Sequence, residues 1–270
     1  MRRTTPKTAA PSPAPENLRF LGVGDGAAAR RIAVRLSPGG GPVVVWLGGF
    51  RSDMRSTKAA ALAAWGARLG RAVLRFDYSG HGESEGRFED GTIGAWLEES
   101  LAVIEAFGGE RPVLVGSSMG GWIALLAARR LAERGTAPSG LVLIAPAPDF
   151  TEDLMWNTFP EEVRRAILRD GAFLQHSDYS PEPYPITRRL IEEGRSHLLL
   201  SSTVRAGCPV HILQGMQDPD VPWRHALRLV ERLAEDDVLL TLVKDGDHRL
   251  SRPEDLERIF SALEAVAPAA

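Results

Sequence analysis

The sequence predicts an α/β fold: a mostly parallel sheet with helices on both faces, interrupted once by an inserted helical cap. Three observations predict it. Short apolar runs alternate with helix-length segments along most of the chain. Those runs are continuously apolar, as strands covered on both faces are. One long stretch near the middle loses the rhythm. At 270 residues and 44% hydrophobic content, the chain can bury one large core without disulfide or metal staples.

The elements follow in order. Residues 1–17 carry Arg2, Arg3 and Lys7 with Pro6, Pro11, Pro13 and Pro15, have little to bury, and are expected to form a disordered tail. LRFLGV and RIAVRLS, either side of a Gly-Asp-Gly turn, read as a hairpin at a sheet edge. VVVWL, Val43 to Leu47, is a buried strand ending in Gly48-Gly49-Phe50. Ser56 or Thr57 can start a helix that runs through Leu69 and stops at Gly70. AVLRF, Ala72 to Phe76, is a strand that runs into the polar, glycine-rich loop Asp77 to Gly82. A helix over Thr92 to Phe107, the strand PVLVG, a bend at SSMGG, a helix from Trp122 to Glu133 and the strand GLVLIAP come next. The rhythm resumes with PVHILQG, a helix over Trp223 to Leu233, the strand VLLTLV and a last helix over Pro253 to Leu263. The break, residues 147–206, is about 60 residues long, too long for a plain loop in a compact domain, and reads as a helical cap. The core is therefore expected over 18–146 and 207–267.

Composition excludes several classes. Cys208 is the only cysteine, so the chain has no internal disulfide and no thiolate cluster. That suits a reducing compartment, read as cytoplasmic, with the mitochondrial matrix as the alternative for a eukaryotic source. A net charge of -3 with interspersed signs is not the footprint of a nucleic-acid binder. No apolar run reaches transmembrane length. Gly22, Gly24 and Gly26 precede the main sheet and lack the strand, turn and helix setting of a dinucleotide cradle.

The chemistry concentrates at Gly116-Ser117-Ser118-Met119-Gly120, a G-x-S-x-G string between an apolar strand and an apolar helix. A serine on that bend is exposed as a nucleophile, and the helix start aims N–H groups at a developing oxyanion. Serine needs a base to take its proton, and imidazole titrates in the useful range. Among six histidines, His248 in the loop Asp245-Gly246-Asp247-His248 follows a strand, where catalytic groups of open α/β sheets gather. His211 lies in a strand and His225 in a helix, whereas His176 and His197 fall in the cap and could line a pocket. Asp218, in the loop after the strand ending at Gly215, is the first choice to orient the imidazole; Asp220 and Asp247 are its rivals. Acyl transfer also needs two oxyanion donors. Met119 N–H is one, and the segment after Leu47 offers the other at Phe50, with Gly49 behind it. In the cap, Phe150, Met155, Trp156 and Phe159 could receive an acyl chain. Arg51 and Asp53 could meet a polar head group, and His81 reads as a tie within its loop.

These strings resemble the α/β-hydrolase superfamily from about Val43 to the end. Gly48-Gly49-Phe50 resembles its H-G-x oxyanion segment, with glycine for histidine. Asp77 to Ser84 resembles its D-x-R-G-H-G-x-S loop, with serine for arginine. S-D-M-R-S-T-K-A, V-G-S-S-M-G-G-W, E-P-Y-P-I-T-R and K-D-G-D-H-R-L-S resemble more closely the branch of mitochondrial acyl-glucuronide esterases and palmitoyl-protein thioesterases, with their bacterial relatives. The resemblance implies a serine hydrolase with the triad Ser118, Asp218 and His248, acting on a small-molecule acyl ester or an S-acylated substrate without metal or organic cofactor. Two alternatives stay open: hydrolysis of another acyl or carbon–carbon bond, and a noncatalytic ligand binder on the same fold. Acyl length, leaving group and oligomeric state are not written in these motifs.

Overall fold

The fold is that of a computed structural model, which describes residues 17–177 and 180–266. The basic, proline-rich segment 1–16 lies outside the described residues, and so does Tyr179.

The sheet begins with β1 (Leu18–Val23) and β2 (Arg30–Ser37), paired antiparallel as the edge hairpin. Then follow β3 (Gly40–Leu47), α1 (Thr57–Leu69), β4 (Arg71–Phe76), α2 (Ile93–Phe107), β5 (Val113–Ser117), α3 (Met119–Glu133) and β6 (Gly140–Ile144). The chain then leaves the sheet. It returns with β9 (Val210–Gly215), α6 (Trp223–Arg232), β10 (Val238–Val243) and α7 (Pro253–Val266), the intervening labels belonging to the insertion. The eight strands run in the order β1-β2-β4-β3-β5-β6-β9-β10, and only β2 opposes its neighbours.

Alternation along each strand feeds two cores, one per face, because successive side chains point to opposite sides. Val45, Leu47, Leu114, Leu141 and Ile212 pack with Trp96 of α2 and Trp122 and Leu126 of α3. Val44, Trp46, Val113, Val115 and Ile144 pack against α1 and α7, where Trp65 stacks on Phe260 at 5.8 Å. The end of α1 and the start of α2 fall where the sequence signals them. The Thr92 hydroxyl accepts the Ala95 N–H at 3.2 Å, and Gly70 closes α1 in the left-handed region at φ 66°.

The insertion differs from an all-helical cap. It holds a π-helical turn (Thr151–Trp156), α4 (Glu161–Asp170), the antiparallel hairpin β7 (Ala172–Ser177) and β8 (Ser180–Thr187), and α5 (Arg188–Gly194). The strand β8 was hidden by Pro181, Pro183 and Pro185, which argue against a strand. Spacing by two puts all three missing N–H groups on one edge, leaving the other edge for β7. The two ends of the insertion are tied together. Asp149, at φ 58°, accepts N–H bonds from Leu199 and Leu200 at 2.7 and 2.8 Å. His225 bonds the Pro148 carbonyl at 2.7 Å.

Candidate active site

Turns at the carboxyl ends of β3, β5, β9 and β10 meet the insertion around a cavity of about 930 Å³. At the end of β5, Ser118 sits at φ 55° and ψ −119°, a conformation that costs a non-glycine residue on the order of 1–3 kcal/mol. The turn is held on both sides: Ser118 N–H donates to Ile144 O at 2.9 Å, and Ser118 O accepts from Ala147 N at 3.1 Å. The flanking glycines are steric requirements. A Cβ on Gly116 would meet Gly120 O at 2.3 Å, and one on Gly120 would meet Leu47 O at 2.1 Å. α3 begins directly after Ser118, three residues earlier than its apolar pattern suggests, so Met119 N–H lies in the first turn and has no intrahelical acceptor. Met119 and Ser118 both line the cavity.

The turn after β3 lies against this bend. A Cβ on Gly49 would be 3.3 Å from Ser117 O and 3.5 Å from Ser118 Cβ, so backbone approaches backbone there. Ser52 N–H donates to Gly49 O at 3.0 Å, Arg51 takes φ 58°, and Arg51 N–H donates to His81 Nε2 at 3.1 Å. The other ring nitrogen of His81 donates to Ser79 O at 3.1 Å, so the imidazole is neutral with its proton on Nδ1. Burial pushes its pKa down to about 4, which keeps it neutral near pH 7. His81 therefore ties the glycine-rich loop after β4 to the turn after β3. Asp77 supports the same loop by accepting Met54 N–H at 2.6 Å and Glu83 N–H at 2.8 Å.

The imidazole of His248 lines the cavity and is oriented by Asp218: Nδ1–H donates to Oδ2 at 2.8 Å. Asp218 is 8% exposed as a residue, and its carboxylate is fully engaged. Oδ1 accepts N–H bonds from Asp220 and Val221 at 2.9 and 2.8 Å, and Gln214 Nε2 reaches Oδ2 at 3.1 Å. Of the three acids considered, only Asp218 has this bond. Asp247 caps its own loop through Leu250 N–H at 2.9 Å, and Asp220 lines the cavity. Asp218, Asp220 and His248 also lie close enough for a cation, but two of the three are committed to one another.

The structure brings Phe50, Phe150, Met155 and Phe159 to the cavity wall, with Leu154 and Tyr184 besides. Phe50 is the hub, 4.9 Å from Phe88, 5.6 Å from Phe150 and 5.8 Å from Tyr184 between ring centroids. Trp156 departs from its expected place. It packs with Ile167, Ile186 and Ile191 inside the insertion, its ring under Arg195 at 5.1 Å, on a different side of the turn from Met155, its neighbour in the chain. His176 lines the cavity, whereas His197 bonds Glu193 at 2.6 Å and His211 bonds Thr241 at 2.9 Å. The Arg51 guanidinium lies over the Tyr184 ring at 4.8 Å, and the Asp53 carboxylate accepts Arg55 N–H at 2.7 Å. Sequence reasoning passed over Lys58, Tyr184 and Leu154. Lys58 could have been found as the one lysine between Lys7 and Lys244, placed at a helix start.

The profile of the Alpha/beta hydrolase family matches residues 38–259. The chain belongs to the α/β-hydrolase family. Within that family it is 34% identical over 234 residues to the human protein named "Palmitoyl-protein thioesterase ABHD10, mitochondrial", covering 86% of this chain and 75% of that one. A protein from Agrobacterium vitis S4 described as a hydrolase superposes with a TM-score of 0.91 at 51% identity, covering 94% of this chain and 100% of the other. Alpha/beta hydrolase domain-containing protein 10 from mouse superposes with a TM-score of 0.82 at 32% identity, covering 93% and 98%. No helix among the described residues is long and apolar enough to cross a membrane.

Proposed function

We propose that this protein is a serine hydrolase that cleaves a carboxylic ester or an S-acyl thioester through an acyl-enzyme intermediate. One observation carries the reading: a strained serine between strand and helix shares a cavity with an imidazole already locked by a buried carboxylate. With its proton fixed on Nδ1 by Asp218, His248 presents Nε2 as the base.

In the proposed cycle Ser118 Oγ attacks the acyl carbon while His248 Nε2 takes its proton. Met119 N–H and Phe50 N–H hold the oxyanion, each contributing about 3 kcal/mol in the transition state. The neighbouring groups of the turn, Gly49 O and Arg51 N–H, are committed to Ser52 and His81, which directs Phe50 N–H to the substrate. His248 then protonates the leaving alcohol or thiol, and activates water to release the acid. Phe150, Leu154, Met155 and Phe159 supply an apolar wall for the acyl chain. The insertion, residues 147–206, acts as the cap that forms this wall over the core at 18–146 and 207–267.

The thioester branch of this reading is favoured by the name of the mammalian relatives, palmitoyl-protein thioesterase. Those names also say mitochondrial. For this chain we propose a reducing compartment, the cytoplasm or, in a eukaryotic source, the mitochondrial matrix, which suits a sequence whose one cysteine, Cys208, cannot form an internal disulfide.

A fluorophosphonate probe tests the reading. Wild-type protein labels at Ser118 by intact mass and peptide mapping, and Ser118→Ala neither labels nor turns over aryl esters while keeping its melting temperature. Esterase activity retained in Ser118→Ala overturns the assignment, and a wild type that refuses the probe favours a noncatalytic ligand binder.

A further inference from the structure

Lys58 is placed where a lysine is expensive. It is the second residue of α1, half-buried, and it lines the same cavity as Ser118 and His248. Its ammonium donates to the carbonyl of Arg249, the residue next to His248, across 191 residues of chain. Burying an ammonium costs free energy unless it is paired, and a backbone carbonyl could be satisfied by an N–H group or water instead. The bond joins the two segments whose spacing matters most. α1 continues from the turn after β3 that holds Phe50, and Arg249 belongs to the loop that carries His248. That loop has its own strained member, Leu250 at φ 44°, pinned by Asp247.

We propose that Lys58 is a positioning residue for His248, its ammonium clamping the Arg249 carbonyl and so fixing the imbedded imidazole against Ser118. The inference rests on the serine-hydrolase reading and adds to it a strut that the three triad residues do not include. The charges facing Lys58 are Asp247 and Arg249 in the loop after β10, Asp218 after β9 and Asp255 in α7. Burial, the largest influence, together with Arg249 outweighs the three carboxylates and pushes the Lys58 pKa down to about 8. The clamp is therefore cationic below about pH 8 and loses its charge above it.

Activity and stability then respond to alkali in opposite senses. Between pH 8 and the ordinary lysine value of 10.5, the unfolded chain holds a proton at this side chain that the folded chain has released. Stability from this group rises with pH across that window. Turnover falls across it, because the positioning charge is gone. A side chain that served only to hold the fold would not show this opposition.

The experiment compares Lys58→Met with wild type in aryl-ester turnover from pH 6 to 10, with melting temperatures alongside. Lys58→Met keeps the four-atom apolar stem of the side chain and removes the terminal ammonium. The expected result is kcat lowered by about 10- to 100-fold, the worth of a charge-assisted bond, with KM within about twofold, and no falling limb near pH 8. Should Lys58→Met not fold, Lys58→Cys is alkylated with 2-bromoethylamine, in which the thiolate displaces bromide and an ammonium of nearly lysine length is rebuilt. Cys208 is buried and its raised pKa keeps it unreactive, and identically treated wild type is the control. Recovery of kcat, with the alkaline limb moved to lower pH by the electron-withdrawing thioether, supports the proposal. Unchanged kcat with the limb retained in Lys58→Met, or no recovery on alkylation of a folded Lys58→Cys, overturns it. Failure of the wild type to hydrolyse esters and label at Ser118 overturns the hydrolase reading instead, so the two failures are distinct.

Discussion

Asp218→Asn removes one charge and exchanges one oxygen for an NH2 group, and the surrounding bonds decide how the amide turns. Oδ1 of Asp218 accepts two backbone N–H groups, from Asp220 and Val221, which cannot rearrange. Oδ2 faces His248 Nδ1 and Gln214 Nε2. If the amide oxygen turns toward His248, its NH2 opposes two fixed N–H donors, losing two hydrogen bonds at about 1–3 kcal/mol each. The oxygen therefore stays with the backbone, and the NH2 meets the imidazole. His248 relieves that conflict by moving its proton to Nε2, where it can no longer receive one from Ser118. Gln214 Nε2 has no such escape, being held also by Gly215 O and Val221 O at 3.1 and 3.0 Å. The expected loss in kcat is about 10⁴-fold, on the order of 5 kcal/mol, as for the equivalent substitution in a known triad. Stability should fall by only about 1–3 kcal/mol for the one buried bond left in conflict. The assay is p-nitrophenyl ester turnover with urea denaturation of the same preparations. A folded Asp218→Asn protein with kcat within about tenfold of wild type would refute the tautomer argument.

Two further outcomes follow from the same geometry. His81, 5% exposed with its pKa held near 4, is neutral when folded and takes up a proton on unfolding below about pH 6.5. Its contribution to stability is full above pH 6.5 and is lost as pH falls toward 4, up to about 3 kcal/mol. His211 and His225 are shifted the same way by burial, so the isolating measurement is the urea midpoint at pH 7 and pH 5 in wild type and His81→Gln. An equal pH dependence in the two proteins would sink the role given to His81. For the acyl wall, kcat/KM should rise about fourfold per methylene along a series of aryl esters, at ~0.8 kcal/mol per buried CH2, until the cavity fills. Phe159→Ala should shift the length at which the gain stops, and a flat series in wild type would remove the acyl role from Phe150, Met155 and Phe159.

Much of the fold was legible because it is written locally. A strand covered on both faces is apolar throughout, and β5, β6 and β9 were recognisable within a residue or two of their ends. Gly70 and Thr92 announced helix ends through backbone rules that hold wherever the helix sits. The insertion resisted because its signals conflict. Prolines spaced by two read as loop, and only pairing with β7 on the opposite edge makes β8 a strand. Met155 and Trp156 are chain neighbours in one helical turn and point to different sides, so only Met155 of the two reaches the cavity, and which one does so is fixed by how the turn packs.

By itself the sequence determined the order of strands and helices outside the insertion, the serine bend with its obligatory glycines, and a short set of acids and bases. The tertiary structure alone decided which acid meets the imidazole, which aromatic rings face the cavity, and that Lys58 reaches Arg249. The physical reason is range. Backbone preference and side-chain periodicity act over a few residues, whereas a hydrogen bond of 2.8 Å between Asp218 and His248 exists only once β9 and β10 lie in register side by side.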